Sequence, residues 1–141
     1  MKTRLFLSIF VTAAAAFLTQ AVRAADLTVT ITDIRAAKGT LMVAVTNSDA
    51  AWNNQAKPVE GRKIAVTGKE VVLHFTLPAG SYAVQVIHDE NDNGKLDTNF
   101  LGIPSEGYGF SNNPTALRRA NYDEARFELG EAPMAIVIRL R

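Results

Sequence analysis

Short runs in which apolar and polar residues alternate are the feature that most limits what this chain can fold into. Leu27, Val29 and Ile31 alternate with threonines, and residues 71–77 and 82–88 follow the same pattern. Successive side chains of a β-strand point to opposite faces, so these runs predict strands with one buried face. No segment has a sustained helical period.

Further short apolar runs complete an all-β pattern. They lie at residues 41–45, 63–66, 125–129 and 134–140, between Gly, Pro and Asn turn signals. Seven such strands predict an all-β fold, a seven-stranded β-sandwich of the immunoglobulin-like type. Asn113 and Pro114 favour one or two helical turns, as N-cap and first helical residue. Residues 89–124 show no strand pattern, which predicts one long polar loop of the kind that usually carries function.

The first residues have the composition of an export signal. Lys2 and Arg4 precede a run of 14 uncharged residues, and short side chains lead to a cleavage point after Ala24. The apolar run is too short to span a bilayer, so it predicts a signal peptide over residues 1–24. Its removal leaves a single domain, residues 25–141. We therefore expect a periplasmic or secreted protein with no stable membrane span after signal removal.

The charge balance argues against nucleic acid as a partner. The chain has 15 basic and 14 acidic residues, a formal net charge of +1. Without Lys2, Arg4 and Arg23, 12 basic residues face 14 acidic ones, and the net charge becomes −2. Neither value indicates the basic surface that nucleic acid requires. The sequence contains no cysteine, which excludes disulfides and thiolate metal sites.

The long loop opens with oxygen-bearing side chains at a spacing typical of calcium loops. Asp or Asn stands at relative positions 1, 3, 5 and 9 of residues 89–97, and Gly94 stands at position 6, where the chain must bend sharply. Ca²⁺ takes six to eight oxygen ligands, and position 7 can add its backbone carbonyl. The sequence therefore predicts Ca²⁺ bound by Asp89, Asn91, Asn93, Lys95 (through its carbonyl) and Asp97.

A plain polar turn is the alternative interpretation of the same loop. Helix–loop–helix calcium sites have a bidentate glutamate at position 12, where this chain has Phe100. Asn, Asp and Gly also cluster in turns without an ion, because Asn and Asp bond to their own backbone and Gly accepts positive φ. If calcium binds, Glu106 or water has to supply further oxygens. The sequence is compatible with both interpretations.

Three segments carry a resemblance to a known family. They are Leu-Pro-Ala-Gly-Ser-Tyr-Ala-Val at 77–84, the run from His88 to Asp97, and Gly-Ile-Pro-Ser-Glu-Gly-Tyr-Gly-Phe-Ser-Asn-Asn at 102–113. Together they resemble the exported bacterial family known as domain of unknown function 2141, which implies no particular activity. The first two segments are also similar to prealbumin-like sandwich modules of bacterial surface proteins. That similarity implies a prealbumin-like sandwich, with calcium at Asp89, Asn91, Asn93 and Asp97.

His88 is a weak catalytic candidate. It follows the apolar face of its predicted strand and precedes Asp89, so a small hydrolase could use it as a base with Asp89 or Glu106. The alternative is a hydrogen-bonded histidine at a strand end. Neither Ser105 nor Ser111 lies in a nucleophile elbow, so a non-enzymatic role is favoured.

A binding or structural module is the leading functional prediction. Glu106, Tyr108 and Phe110 form a candidate surface for an unidentified protein, small-molecule or glycan ligand, beside a loop that calcium would order. The alternative is that the aromatic rings seal the loop onto the sandwich. A further possibility is a protein partner that joins an open sheet edge by strand addition.

Overall fold

A computed structural model describes residues 23–141, and the predicted signal segment lies outside the described residues except for Arg23 and Ala24. Eight strands and two one-turn helices make up the regular structure. The strands are β1 (Ala24–Thr32), β2 (Thr40–Thr46), β3 (Glu60–Ala65), β4 (Val71–Pro78), β5 (Gly80–Asp89), β6 (Gly107–Phe110), β7 (Phe127–Leu129) and β8 (Met134–Arg139). The helices are α1 (Asp49–Trp52) and α2 (Tyr122–Ala125), and no helix in the described part is long and apolar enough to cross a membrane.

The strands form two sheets that enclose one main core, so the predicted all-β class is confirmed. One sheet has the order β4-β1-β8, and the other has the order β3-β2-β5-β6, with β7 also paired to β5. Strand β1 runs antiparallel to β4 and parallel to β8. Its alternating residues Leu27, Val29 and Ile31 are fully buried, and each contributes roughly 1.5–3 kcal/mol through burial.

The structure has eight strands where the sequence predicts seven, and β6 is the additional one. It lies inside the stretch 89–124, which shows no strand pattern, because its core-facing positions are Gly107 and Gly109. A Cβ at Gly109 would lie 2.8 Å from Cγ2 of Ile138 and 2.9 Å from the carbonyl oxygen of Arg139. The close approach of β6 to β8 therefore requires glycine, which removes the apolar signal of a strand.

The predicted helical turns at residues 113–117 are wrong. Asn113 has a left-handed φ of 47°, and its side chain pairs with the outer edge of β8. The amide Nδ2 donates to the carbonyl of Val137 at 2.8 Å, and Oδ1 accepts the N–H of Arg139 at 2.8 Å. A side chain that is engaged with a neighbouring strand cannot also cap a helix.

The C-terminal residue closes one side of the two sheets. The N–H of Arg141 donates to the carbonyl of Tyr108 at 3.0 Å, and the N–H of Tyr108 donates back at 3.2 Å. Together with Asn113, this pairing covers the edges of β6 and β8. Within residues 23–141, the strands with an unpaired edge are therefore β3, β4 and the three-residue β7.

A second, smaller cluster packs on the outer face of the five-stranded sheet. It comprises Trp52, Ala83, Phe110, Ala120, Tyr122 and Ala125. The indole N–H of Trp52 donates to the carbonyl of Ala120 at 2.9 Å, and its ring lies 5.6 Å from that of Phe110 and 6.4 Å from that of Tyr122. This cluster holds the segment between β6 and β7 against the sheet.

Candidate functional site

The loop between β5 and β6 begins with a carboxylate that shapes its first turn. Asp89 is the last residue of β5 and is only 2% exposed. Its Oδ1 accepts the N–H of Asn93 at 3.0 Å, and its Oδ2 accepts the N–H of Gly94 at 2.7 Å. Gly94 has a φ of 83°, a left-handed conformation that favours glycine. The buried carboxylate thus fixes the bend that the sequence predicts.

The other three predicted side chains meet on the same turn. Oδ2 of Asp97 accepts the side-chain amide of Asn91 at 2.7 Å and that of Asn93 at 2.8 Å. These bonds, first from Asn93 and then from Asn91, hold the pKa of the Asp97 carboxyl below its ordinary value. The amide oxygens point back to the loop, where Asn91 accepts the N–H of Asn93 and Asn93 accepts the N–H of Lys95, both at 3.1 Å.

Glu106 binds both ends of this turn from across the loop. Its Oε1 accepts the N–H of Glu90 at 2.8 Å, and its Oε2 accepts the N–H of Asp97 at 2.9 Å. The residue is 6% exposed, so its carboxylate faces the backbone and not the solvent. Neither Glu106 nor Asp89 has a basic partner at salt-bridge distance among residues 23–141. Backbone N–H groups alone balance these two buried charges.

The four side chains of the predicted calcium set therefore lie close together in the structure. Within the described chain, no group of three Asp, Glu or His side chains is arranged to hold a metal ion. The predicted calcium set contains only two carboxylates, Asp89 and Asp97, with asparagines as the other side chains. In the structure these asparagines direct their amide nitrogens, and not their oxygens, at the Asp97 carboxylate.

Contacts from the β1–β2 connection and from the first residue of β2 tie the loop to the two sheets, and the sequence pattern does not predict them. Thr40 donates to Oδ1 of Asp92 at 2.7 Å. Arg35 donates to Glu90 at 3.1 Å and to the carbonyl of Ser105 at 2.9 Å. These partners lie more than 50 residues apart along the chain, so no local spacing signals them.

His88 lies beneath this loop and is fully buried. Its Nε2 donates to the carbonyl of Lys38 at 2.8 Å, because a carbonyl oxygen can only accept. Nδ1 has no hydrogen-bond partner among the described residues, and it lies 4.0 Å from Oε1 of Glu90. Ser111 is also fully buried, and its hydroxyl accepts the N–H of Val84 at 2.9 Å. The surroundings are those of a hydrogen-bonded histidine at a strand end.

The middle of the loop is a hydrogen-bonded hairpin tip. Thr98 pairs with Pro104, and the side chain of Asn99 accepts the N–H groups of Leu101 and Ile103 at 2.9 and 3.1 Å. Phe100, at relative position 12, is 95% exposed on this tip. The tip thus presents an aromatic side chain to solvent on a backbone that is held in place.

The aromatic residues of the predicted ligand surface separate into two environments. Phe110 is buried against Trp52, whereas Tyr108 is half-buried, and both line a cleft of about 230 Å³ on the outer face of the five-stranded sheet. Glu106 faces the loop backbone, as described above. The predicted surface is therefore split, and only its aromatic part borders the cleft.

Comparisons with known proteins confirm the resemblance to domain of unknown function 2141; the similarity to prealbumin-like modules stays a prediction. The model of a family described as an uncharacterised protein conserved in bacteria (DUF2141) matches residues 29–137. The match extends from β1 to β8, and so it covers both sheets and the long loop. No curated protein and no solved structure matches the chain at a significant level. The chain therefore belongs to the DUF2141 family of bacterial proteins.

Proposed function

We propose that this protein is an exported, non-enzymatic binding or structural module whose loop 89–97 is ordered by calcium. One observation carries the proposal: the four side chains singled out by their spacing meet on one turn. Asp97 touches the amides of Asn91 and Asn93, and the N–H of Asn93 is shared by Asp89 and Asn91. The proposed type of fold is an immunoglobulin-like or prealbumin-like sandwich.

Calcium entry requires the two asparagine side chains to turn. Rotation of each terminal amide by about 180° exchanges Nδ2 for Oδ1, which directs oxygens toward the Asp97 carboxylate. A cation between them is neutralised by Asp97 and Asp89. Lys95 then loses the acceptor on its N–H, whereas the N–H of Asn93 keeps Asp89. Because this exchange offsets part of the binding energy, we expect a dissociation constant of about 10⁻⁴ to 10⁻³ M.

Calcium titration of the purified protein tests this proposal. At about 10 mM calcium, such an affinity stabilises the fold by about 1.4 to 2.7 kcal/mol, which raises the melting temperature. Asp97→Asn removes a charge from the turn, and we expect it to abolish both the calorimetric heat and the thermal shift. Glu131→Ala, at an exposed carboxylate outside the loop, serves as the matched control. Equal calcium responses in the Asp97→Asn variant and the wild type would contradict the site.

The export part of the proposal rests on residues 1–24 and has its own test. N-terminal sequencing of the protein recovered from the cell envelope or medium should give Ala25 as the first residue, because the predicted cleavage follows Ala24. An intact Met1 on the native protein would contradict both the signal and the periplasmic or secreted location.

Strand addition is a second candidate, and the free edges of β3 and β4 favour it. A short turn, residues 66–70, connects these strands across the two sheets. Each carries unpaired backbone groups that an extended segment of a partner can bond. The hydrolase alternative has less support, since His88 is fully buried and the carboxylates of Asp89 and Glu106 bind backbone N–H groups.

A further inference from the structure

We propose that the outer face of the five-stranded sheet binds a fatty acid, with its carboxylate at Arg119 and its acyl chain across the strands. The proposal goes beyond the calcium loop: the floor of this site is made of strands, and Leu96 is the residue of loop 89–97 that borders its cleft. It is carried by the shape of the face, by its charge and by the apolar side chains at its rim.

The floor carries two adjoining depressions. A cleft of about 230 Å³ and a shallower groove of about 350 Å³ share Gln85 and Ile87 of β5. The groove alone falls in the range of small-ligand sites, roughly 300–1,000 Å³. The strand register sets one cross-strand row along the floor: Lys63, Met42, Ile87 and Tyr108. With strands about 4.8 Å apart, the row is about 14 Å long, which suits an acyl chain.

The lining of this face is basic. Of the side chains that border the cleft and the groove, four are basic and none is acidic; they are Arg62, Lys63, Arg118 and Arg119. Arg62 pairs with Glu60 at 3.5 Å, and Arg118 pairs with Glu124 at 2.7 Å. An anionic ligand is therefore the complementary one.

Arg119 is the cation best placed to receive it. Its guanidinium donates to Oδ1 of Asn53 and Oε1 of Gln85, both at 3.1 Å, and to the carbonyl of Trp52 at 2.5 Å, and it lies 5.3 Å from the ring of Trp52. These partners are neutral, and no carboxylate of the described chain lies at salt-bridge distance from Arg119. Within the described chain the site thus holds a positioned guanidinium without a counter-ion, and its remaining N–H groups can form charge-assisted hydrogen bonds to an incoming carboxylate.

The rim adds apolar surface on both sides of the cleft. Four large apolar side chains of the hairpin tip and of the segment before Arg119 are more than half exposed: Phe100, Leu101, Ile103 and Leu117. Leu117 itself lines the cleft, as do Gly102 and Pro104 of the hairpin. Apolar side chains grouped beside a cleft mark an interaction site, and here they would cover a hydrocarbon chain.

The backbone of the floor argues for a ligand without hydrogen-bonding groups along its length. Strand β5 is paired with β2 on one edge and with β6 on the other across residues 85–88. An extended peptide would therefore find no free N–H or C=O along this part of β5. A sugar needs several polar side chains, and the uncharged polar ones at the floor are two: Gln85, whose Oε1 already accepts from Arg119, and Tyr108. A hydrocarbon chain needs neither.

Trp52 is the only tryptophan, and it contacts Arg119. Its fluorescence should therefore report the binding of a fatty-acid carboxylate at Arg119. We expect saturable quenching or a spectral shift on titration with dodecanoate below its micelle concentration, confirmed by calorimetry. Dodecyltrimethylammonium, with the same chain and the opposite charge, should bind at least about tenfold more weakly. Arg119→Gln should weaken dodecanoate about tenfold, as expected for a hydrogen bond to a charged group. Arg126→Gln, which removes a cation outside the cleft, should leave the affinity unchanged.

A second variant keeps the test valid if Arg119→Gln disturbs the fold around Trp52. Met42→Glu places a charge on the floor at a half-buried position, away from the Trp52 cluster, and should also weaken dodecanoate about tenfold. Titrations in EDTA and in calcium separate this site from the loop, because we expect binding in both. The proposal is overturned by equal affinity for the cationic analogue, by unchanged affinity in both variants, or by binding to phosphatidylglycerol vesicles without binding to monomeric dodecanoate.

Discussion

Replacing Trp52 with alanine is expected to lower the free energy of unfolding by about 3–5 kcal/mol. The side chain is fully buried, packs against Phe110 and Tyr122, and donates its N–H to Ala120. Its removal leaves a cavity and an unpaired carbonyl, and Arg119 loses its ring contact. Denaturant unfolding followed by circular dichroism measures the loss.

Two controls separate packing from hydrogen bonding in this cluster. Trp52→Phe retains a ring but loses the indole N–H, so we expect a smaller loss than for alanine. Leu117→Ala truncates an apolar side chain that is 96% exposed, and the change should stay within about 0.5 kcal/mol. A loss below about 1 kcal/mol for Trp52→Ala would mean that the second cluster does not stabilise the fold.

Glu106→Ala is expected to destabilise the long loop by about 2–4 kcal/mol. The substitution leaves the N–H groups of Glu90 and Asp97 without their acceptor, and an unsatisfied buried donor costs about 1–3 kcal/mol. Because Glu106 is the common partner of both ends of the turn, we expect residues 90–97 to lose protection against hydrogen exchange. The amides of β1 should lose less protection, since they lie in the other sheet.

The matched control for Glu106 is Glu131→Ala, which removes an exposed carboxylate. We expect less than about 0.5 kcal/mol of destabilisation there. Glu106→Gln keeps one acceptor oxygen but turns an amide donor toward the second N–H, so it should be destabilising as well. Unchanged exchange at Glu90 and Asp97 in the alanine variant would show that other contacts hold the loop.

The strands were predictable wherever an apolar residue marked every second position. Leu27, Val29 and Ile31 identify β1 in the sequence and are buried in the structure. The sequence pattern does not predict strand β6, because Gly107 and Gly109 occupy its inward positions. Glycine is required there because β6 approaches β8 closely. An alternating apolar pattern cannot predict a strand whose core-facing residues are glycines, because glycine has no side chain.

Only the short-range contacts of the loop could be predicted from the sequence. The bonds from Asp89 to Gly94 and from Asp97 to Asn91 join residues five or six positions apart, so the spacing of Asp, Asn and Gly contains them. The contacts from Arg35 and Thr40 join residues more than 50 positions apart. Their existence depends on how β2 and β5 are paired.

By itself, the sequence determined the all-β class, the family and the place of the polar loop, because period-two patterns and turn residues act between near neighbours. How distant segments pack decided that β6 and β8 close one side of the sandwich, that Trp52 supports a second cluster, and that Arg119 contacts Trp52 beside a cleft and has no counter-ion among residues 23–141. These features arise when distant segments pack together, and the free energy of that packing depends on partners that no local pattern names.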